Sequence, residues 1–120
     1  MIIDDNTINM EVSVGILQST GIETDSAFSG GEAIKKFKAS EPGYYDIIFM
    51  DIQMPDMNGY EATKIIRALG RVDAQSVPIL AMTADAFTQD VAKAVSAGMN
   101  DHVAKPIDPN KLFMTMKRYL

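Results

Sequence analysis

Apolar and polar positions follow two alternating rhythms along these 120 residues. Between residues 7 and 19, Ile8, Val12 and Ile16 recur at i, i+4 and i+8, with Met10, Val14 and Leu17 widening the stripe, as in an amphipathic helix. After Gly21 the period shortens, and residues 22–27 alternate as a partly covered strand does. Ser29 with Glu32 has capping-box spacing, and Ala33, Ile34 and Phe37 supply the buried face of a second helix that stops at Pro42-Gly43. Residues 46–50 are one acid and then an unbroken apolar run, which suits a central strand covered on both faces. A loop over 51–58 leads to Asn58 and Glu61, the start of a third helix with Ala62, Ile65, Ile66 and Leu69 on one face. Polar residues 71–76 connect to a fourth strand over 77–82, whose Pro78 sits near the start, where a missing donor is tolerated. The pattern then predicts a helix over 87–97 and a short fifth strand over 102–104. Asp108-Pro109 begins a last helix whose apolar face is Leu112, Phe113, Met116, Tyr119 and Leu120.

If Met1-Ile2-Ile3 ends a first strand, the order is five βα units, which implies a parallel sheet between two helical layers. Three residues make a short strand, so residues 1–120 read as one domain excised from a longer chain. A single domain of this length buries roughly two-thirds of the surface its unfolded chain exposes. The lack of cysteine excludes a disulfide framework and thiolate metal sites, and it fits a reducing, cytoplasmic setting. No apolar run approaches the roughly 20 residues of a membrane helix, so no membrane contact is expected of this segment. A net charge of −5 argues against a nucleic-acid partner, which needs a concentrated basic surface. The nine methionines are scattered through apolar stretches and read as adaptable core filler.

Candidate chemistry gathers where the strands end. In a parallel sheet all strands finish on one edge, the edge where open α/β folds bind ligands. Asp4-Asp5 follows Ile2-Ile3, Asp51 follows the run ending at Met50, Thr83 follows Met82, and Lys105 follows Val103-Ala104. Four of five strands thus deliver three carboxylates, a hydroxyl and an ammonium to one crevice. Packed carboxylates repel, which raises their pKa values or recruits a cation. Mg²⁺ suits such a site, being held by one or two carboxylates together with phosphate oxygens. A carboxylate beside it can attack phosphorus to form an acyl phosphate, while a lysine offsets charge. The Thr83 hydroxyl could bond the phosphoryl group only after transfer, a difference between states of the kind a switch requires.

Asp4-Asp5-Asn6-x-x-Asn9, residues 51–59 (Asp-Ile-Gln-Met-Pro-Asp-Met-Asn-Gly), Met82-Thr83-Ala84 and Lys105-Pro106 closely resemble the motifs of response-regulator receiver domains. The resemblance covers nearly the whole chain, in order and at family-like spacing. It implies a flavodoxin-like (βα)5 doubly wound sheet in the order 2-1-3-4-5, a three-layer sandwich, with Asp51 as phosphoacceptor in a two-component phosphorelay. It implies Asp5, Asp51 and the Gln53 backbone carbonyl as Mg²⁺ ligands, Asp4 acting mainly through water, Lys105 pairing with the phosphoryl group, and a cis peptide before Pro106. Thr83 and His102 match the family's switch positions, although histidine replaces an aromatic residue, often tyrosine. As the lone histidine, His102 could equally be a surface residue of strand 5 or a relay donor. Gln53 and Asp85 resemble positions that tune hydrolysis of the acyl phosphate. The implied partner is a histidine kinase or a histidine phosphotransfer domain, with a homodimer left open. The domain itself is then not an enzyme but a self-phosphorylating and self-dephosphorylating acceptor. The opening motif and residues 101–108 look most like receivers of hybrid sensor histidine kinases, whose parent chain can be membrane-anchored.

Three rival readings weigh less. A haloacid-dehalogenase-type phosphatase would carry Asp-x-Asp after its first strand, and the residue two after Asp51 is Gln53, which cannot be a general acid. An FMN-binding protein needs a hydroxyl- and glycine-rich phosphate loop after strand 1, where Asp4-Asp5 would repel phosphate. A degenerate receiver, serving only as an interaction module, would be expected to lack one of the core residues.

Overall fold

Alternate residues of the central strands feed two separate apolar layers, and this division organises the molecule. The computed structural model describes residues 1–83, 88–105 and 107–119. In chain order its elements are β1 (Ile2–Ile3), α1 (Thr7–Gln18), β2 (Ser26–Ala27), α2 (Gly30–Ala39), β3 (Ile48–Asp51) and α3 (Gly59–Arg67). They continue as α4 (Val72–Ser76), β4 (Ile79–Thr83), α5 (Thr88–Ala97), β5 (Asp101–Ala104) and α6 (Pro109–Lys117). The strands form one parallel sheet in the order β2-β1-β3-β4-β5, as expected for a flavodoxin-like fold. Ile48, Met50, Ile79 and Ala81 pack on one face with Phe37, Ala62, Ile66 and Ala94, so α2, α3 and α5 cover that side. Phe49, Leu80 and Met82 pack on the other with Met10, Leu17, Leu112 and Met116 of α1 and α6. A strand buried on both faces has no polar positions to spare, which explains the unbroken runs in β3 and β4.

The helix starts follow the capping signals. Ser29 accepts the Glu32 N–H at 3.1 Å, Asn58 accepts that of Glu61 at 2.9 Å, and Asp108 accepts that of Asn110 at 2.9 Å ahead of Pro109. Glu32 completes its half of the box one residue early, its carboxylate accepting the Phe28 N–H at 3.3 Å.

Three expectations need correction. The buried face of α1 is Met10, Ser13 and Leu17, while Ile8 and Val12 are 72% and 51% exposed. At about 100° per residue these two sets lie on nearly opposite sides of the helix. Apolar residues surround α1, so periodicity alone could not choose the packed face. Strand 2 is two residues rather than six, because it is an edge strand whose partner β1 is itself two residues long. Residues 71–76 are not merely a connection, since 72–76 form α4. Arg71 anchors that turn, with Nη2 2.8 Å from the Asp73 carboxylate, Nη1 donating to the Phe37 carbonyl at 2.7 Å, and its guanidinium over the Phe37 ring.

Candidate functional site

The carboxyl edge of the sheet is assembled from strand ends that are remote in sequence. Asp51 is the last residue of β3 and Thr83 the last of β4, and Asp4-Asp5 and Lys105 follow β1 and β5. Register keeps them level: Asp51 lies opposite Met82, and Thr83 opposite Ala104. The Lys105 N–H donates to the Thr83 carbonyl at 2.7 Å, which extends the β4–β5 ladder to the lysine itself.

Three carboxylates and one ammonium meet there. Oxygens of Asp4, Asp5 and Asp51 lie within 4.8 Å of one another. Lys105 Nζ stands 2.9 Å from Asp51 Oδ1 and 3.1 Å from Asp4 Oδ2. Asp4 and Asp51 are buried, at 1% and 3% exposure, whereas Asp5 is exposed. The sequence also fixes Asp4 locally: its Oδ1 accepts the Asn6 N–H at 2.9 Å, and Asn6 caps α1 by accepting the Asn9 N–H at 3.0 Å. The Asp-Asp-Asn-x-x-Asn pattern is therefore a carboxylate mount and a helix cap in one.

One lysine does not balance three carboxylates. Burial pushes the Asp51 carboxyl up to about 6, with Lys105 pulling it down and Asp4 adding to the rise. Lys105 loses solvation, which lowers its pKa, but its bonds and attraction to Asp51 and then Asp4 outweigh that and hold it above its ordinary value. Asp4 Oδ2 is buried and, among the described residues, rests on the 3.1 Å contact with the Lys105 ammonium without a well-aligned hydrogen bond. An all-oxygen set with surplus negative charge and an incompletely satisfied buried oxygen fits a hard divalent cation.

The remaining candidates are less central. Gln53 is exposed on the loop after β3. His102 sits on β5 opposite Ala81, half-exposed, with Nδ1 3.7 Å from the carboxylate of its own neighbour Asp101. Asp85 and Pro106 lie outside the described residues, as do Ala84, Phe87 and Leu120. A cleft of about 370 Å³ lined by Asp4, Lys105, Ser13, Asn9, Val12 and Ile107 adjoins the carboxylates. A larger cavity of about 670 Å³, among Met1, Leu17, Asp25, Tyr45 and Ile47, opens elsewhere and contains none of these groups.

Sequence reasoning assigned no role to Gly59 or Gly30, which pack against the segment after β3. A glycine directly after an N-cap, where a better helix former is expected, was the available signal.

Similar known proteins come from two-component signalling. The chain is 39% identical to hybrid signal transduction histidine kinase L of Dictyostelium discoideum over 99% of its own length and 7% of that protein's. It therefore spans a small part of such a relative. The receiver domain of sensor histidine kinase PA1611 from Pseudomonas aeruginosa, with a magnesium ion coordinated in its active-site cleft, superposes with a TM-score of 0.86 at 34% identity, covering 98% of this chain and 93% of that one. The receiver domain of Ssk1 from Saccharomyces cerevisiae, in a co-crystal with the histidine phosphotransfer protein Ypd1, is matched with a TM-score of 0.86 at 31% identity, over 98% and 85% of the two chains. Residues 1–117 match the response regulator receiver domain, and the chain belongs to that family of two-component signalling modules.

Proposed function

We propose that this receiver accepts a phosphoryl group from phosphohistidine onto Asp51 and changes conformation while it is held there. The observation that carries this reading is Lys105, whose ammonium bridges Asp51 and Asp4 beside a third carboxylate. A carboxylate oxygen of Asp51 forms the new P–O bond as the donor's P–N bond breaks, and the bond pair leaves with the imidazole nitrogen. Lys105 then moves its attraction from the carboxylate to the phosphoryl oxygens. Asp5, Asp51 and the Gln53 carbonyl would hold Mg²⁺, with Asp4 acting through water. The ion supplies charge neutralisation around the transferring group. Thr83 and His102 form the switch, and Gln53 with Asp85 tunes attack by water, which returns Asp51 and inorganic phosphate. The domain acts on its own side chain rather than on a separate substrate.

Partner choice follows from the surface beside the cleft. Ile8 and Val12 are exposed on α1, and Val12 lines the same cleft as Asp4 and Lys105. A histidine phosphotransfer domain or kinase helix can seat on that apolar patch with its histidine facing Asp51. The hybrid histidine kinase among its relatives, of whose length this chain covers 7%, supports a parent protein of hybrid-kinase type.

Acetyl phosphate with Mg²⁺ should label the protein once, read by intact mass, and Asp51→Asn should abolish the label. Undiminished labelling of that variant would remove Asp51 from its role. A beryllofluoride complex in which Thr83 and His102 keep their present positions would remove the switch assignment.

A further inference from the structure

We propose that Gly59, backed by Gly30, is a positioning residue: its missing side chain lets residues 52–59 close into a loop that sets Asp51 and the Gln53 carbonyl on one metal.

Gly59 is the first residue of α3, directly after the Asn58 cap. Its N–H donates to the Ile52 carbonyl at 2.9 Å, closing the segment back on the residue after the phosphoacceptor. A Cβ on Gly59 would overlap the Asp51 carbonyl oxygen, and would stand 2.9 Å from Ile52 Cα and 3.0 Å from the Asp51 carbonyl carbon. All three are backbone atoms, which cannot swing aside as the end of a side chain can. Gly59 is not among the glycines with positive φ, so space rather than backbone conformation demands glycine here.

The loop is tight within itself and braced from behind. The Met57 N–H donates to the Pro55 carbonyl at 2.7 Å, Asp56 takes φ of 67°, and Ile52 and Met54 are buried. Gly30 opens α2 under it, where a Cβ would come 3.0 Å from Met57 Sδ and 3.2 Å from Ala62 Cβ. The starts of two helices thus press on the loop through bare Cα atoms. Any side chain at Gly59 pushes the Asp51 backbone, and the carboxylate moves with it.

The inference rests on the phosphoacceptor reading, so wild-type Mg²⁺ binding and labelling are measured first. Their absence would overturn both that reading and this one. Gly59→Ala, Gly30→Ala and Gly31→Ala are then compared by circular dichroism, by Mg²⁺ titration calorimetry and by acetyl phosphate labelling rate. Gly31 has nothing within 4 Å of an added Cβ and serves as the control. Expected for Gly59→Ala is a folded protein whose Mg²⁺ affinity falls about 10–100-fold, the scale of losing a group that orients ligands, with labelling slower by about 10²-fold. Gly30→Ala should show a smaller loss, restored by adding Met57→Ala, while Gly31→Ala matches wild type. A folded Gly59→Ala protein with wild-type Mg²⁺ affinity overturns the proposal. If Gly59→Ala does not fold, Gly30→Ala decides: unchanged affinity overturns the proposal, and a loss reversed by Met57→Ala supports it.

Discussion

Lys105 holds its ammonium 2.9 Å from the Asp51 carboxylate, although the two are 54 positions apart in the chain and β4 runs between their strands. The contact exists because parallel β3, β4 and β5 end level, and because Thr83 ties the lysine's backbone to the sheet. Lys105→Ala should therefore leave the secondary structure intact, since the lysine side chain joins neither apolar layer. Transfer from acetyl phosphate should slow by about 10²-fold, the usual cost of removing one donor that meets developing charge. Global loss of the circular dichroism signal would instead make Lys105 a structural residue.

Asp51 makes the metal-free protein sensitive to pH. Its carboxyl is pushed from 3.8 to about 6, so between those values the folded state binds more protons than the unfolded chain. A raised carboxyl contributes stability that is complete below about 4 and is lost as pH rises through about 6. Asp51→Asn removes the ionised, poorly solvated group, so without metal it should melt a few degrees above wild type at pH 7, with the gap closing toward pH 4. Calorimetry across that range checks it, and a gap independent of pH would contradict the assignment. Mg²⁺ should raise the wild-type melting temperature at pH 7 far more than that of the variant.

The exposed face of α1 separates docking from chemistry. Ile8→Asp with Val12→Asp should reduce transfer from a histidine phosphotransfer domain by at least tenfold, because charged groups replace the apolar contact near the cleft. Labelling by acetyl phosphate should not change. Equal losses with both donors would show that the substitutions damage the site itself.

Thr63, on α3, carries a buried hydroxyl with no hydrogen-bond partner among the described residues. Thr63→Val keeps its shape and removes the unsatisfied group, which should stabilise the domain by about 1 kcal/mol. Urea denaturation would register that as a higher midpoint at unchanged slope. A lower midpoint would mean the hydroxyl is satisfied in solution.

Local chemistry wrote much of this protein plainly. Ser29, Asn58 and Asp108 start their helices because a short polar side chain can reach an N–H two or three residues ahead, and no distant residue is required. The unbroken runs in β3 and β4 announce strands covered on both faces, and the polar residue ending each run is Asp51 or Thr83. What remained open was every choice between locally equal alternatives. Apolar residues ring α1, so only packing against Phe49, Leu112 and Met116 could bury Met10 and Leu17 and leave Ile8 and Val12 outside. Strand 2 had six suitable residues, but its pairing ended where β1 ended. Asp51 and Lys105 carried charges whose pKa values depend on burial and on one another, quantities that exist only once the sheet brings them together. Gly59 is a poor helix former directly after an N-cap, and the reason lies in the fold, where the Asp51 carbonyl oxygen occupies the space of a methyl group. Sequence determines what each segment can do alone; the fold decides which face is buried, how far pairing runs and which charges meet, because those energies arise between segments.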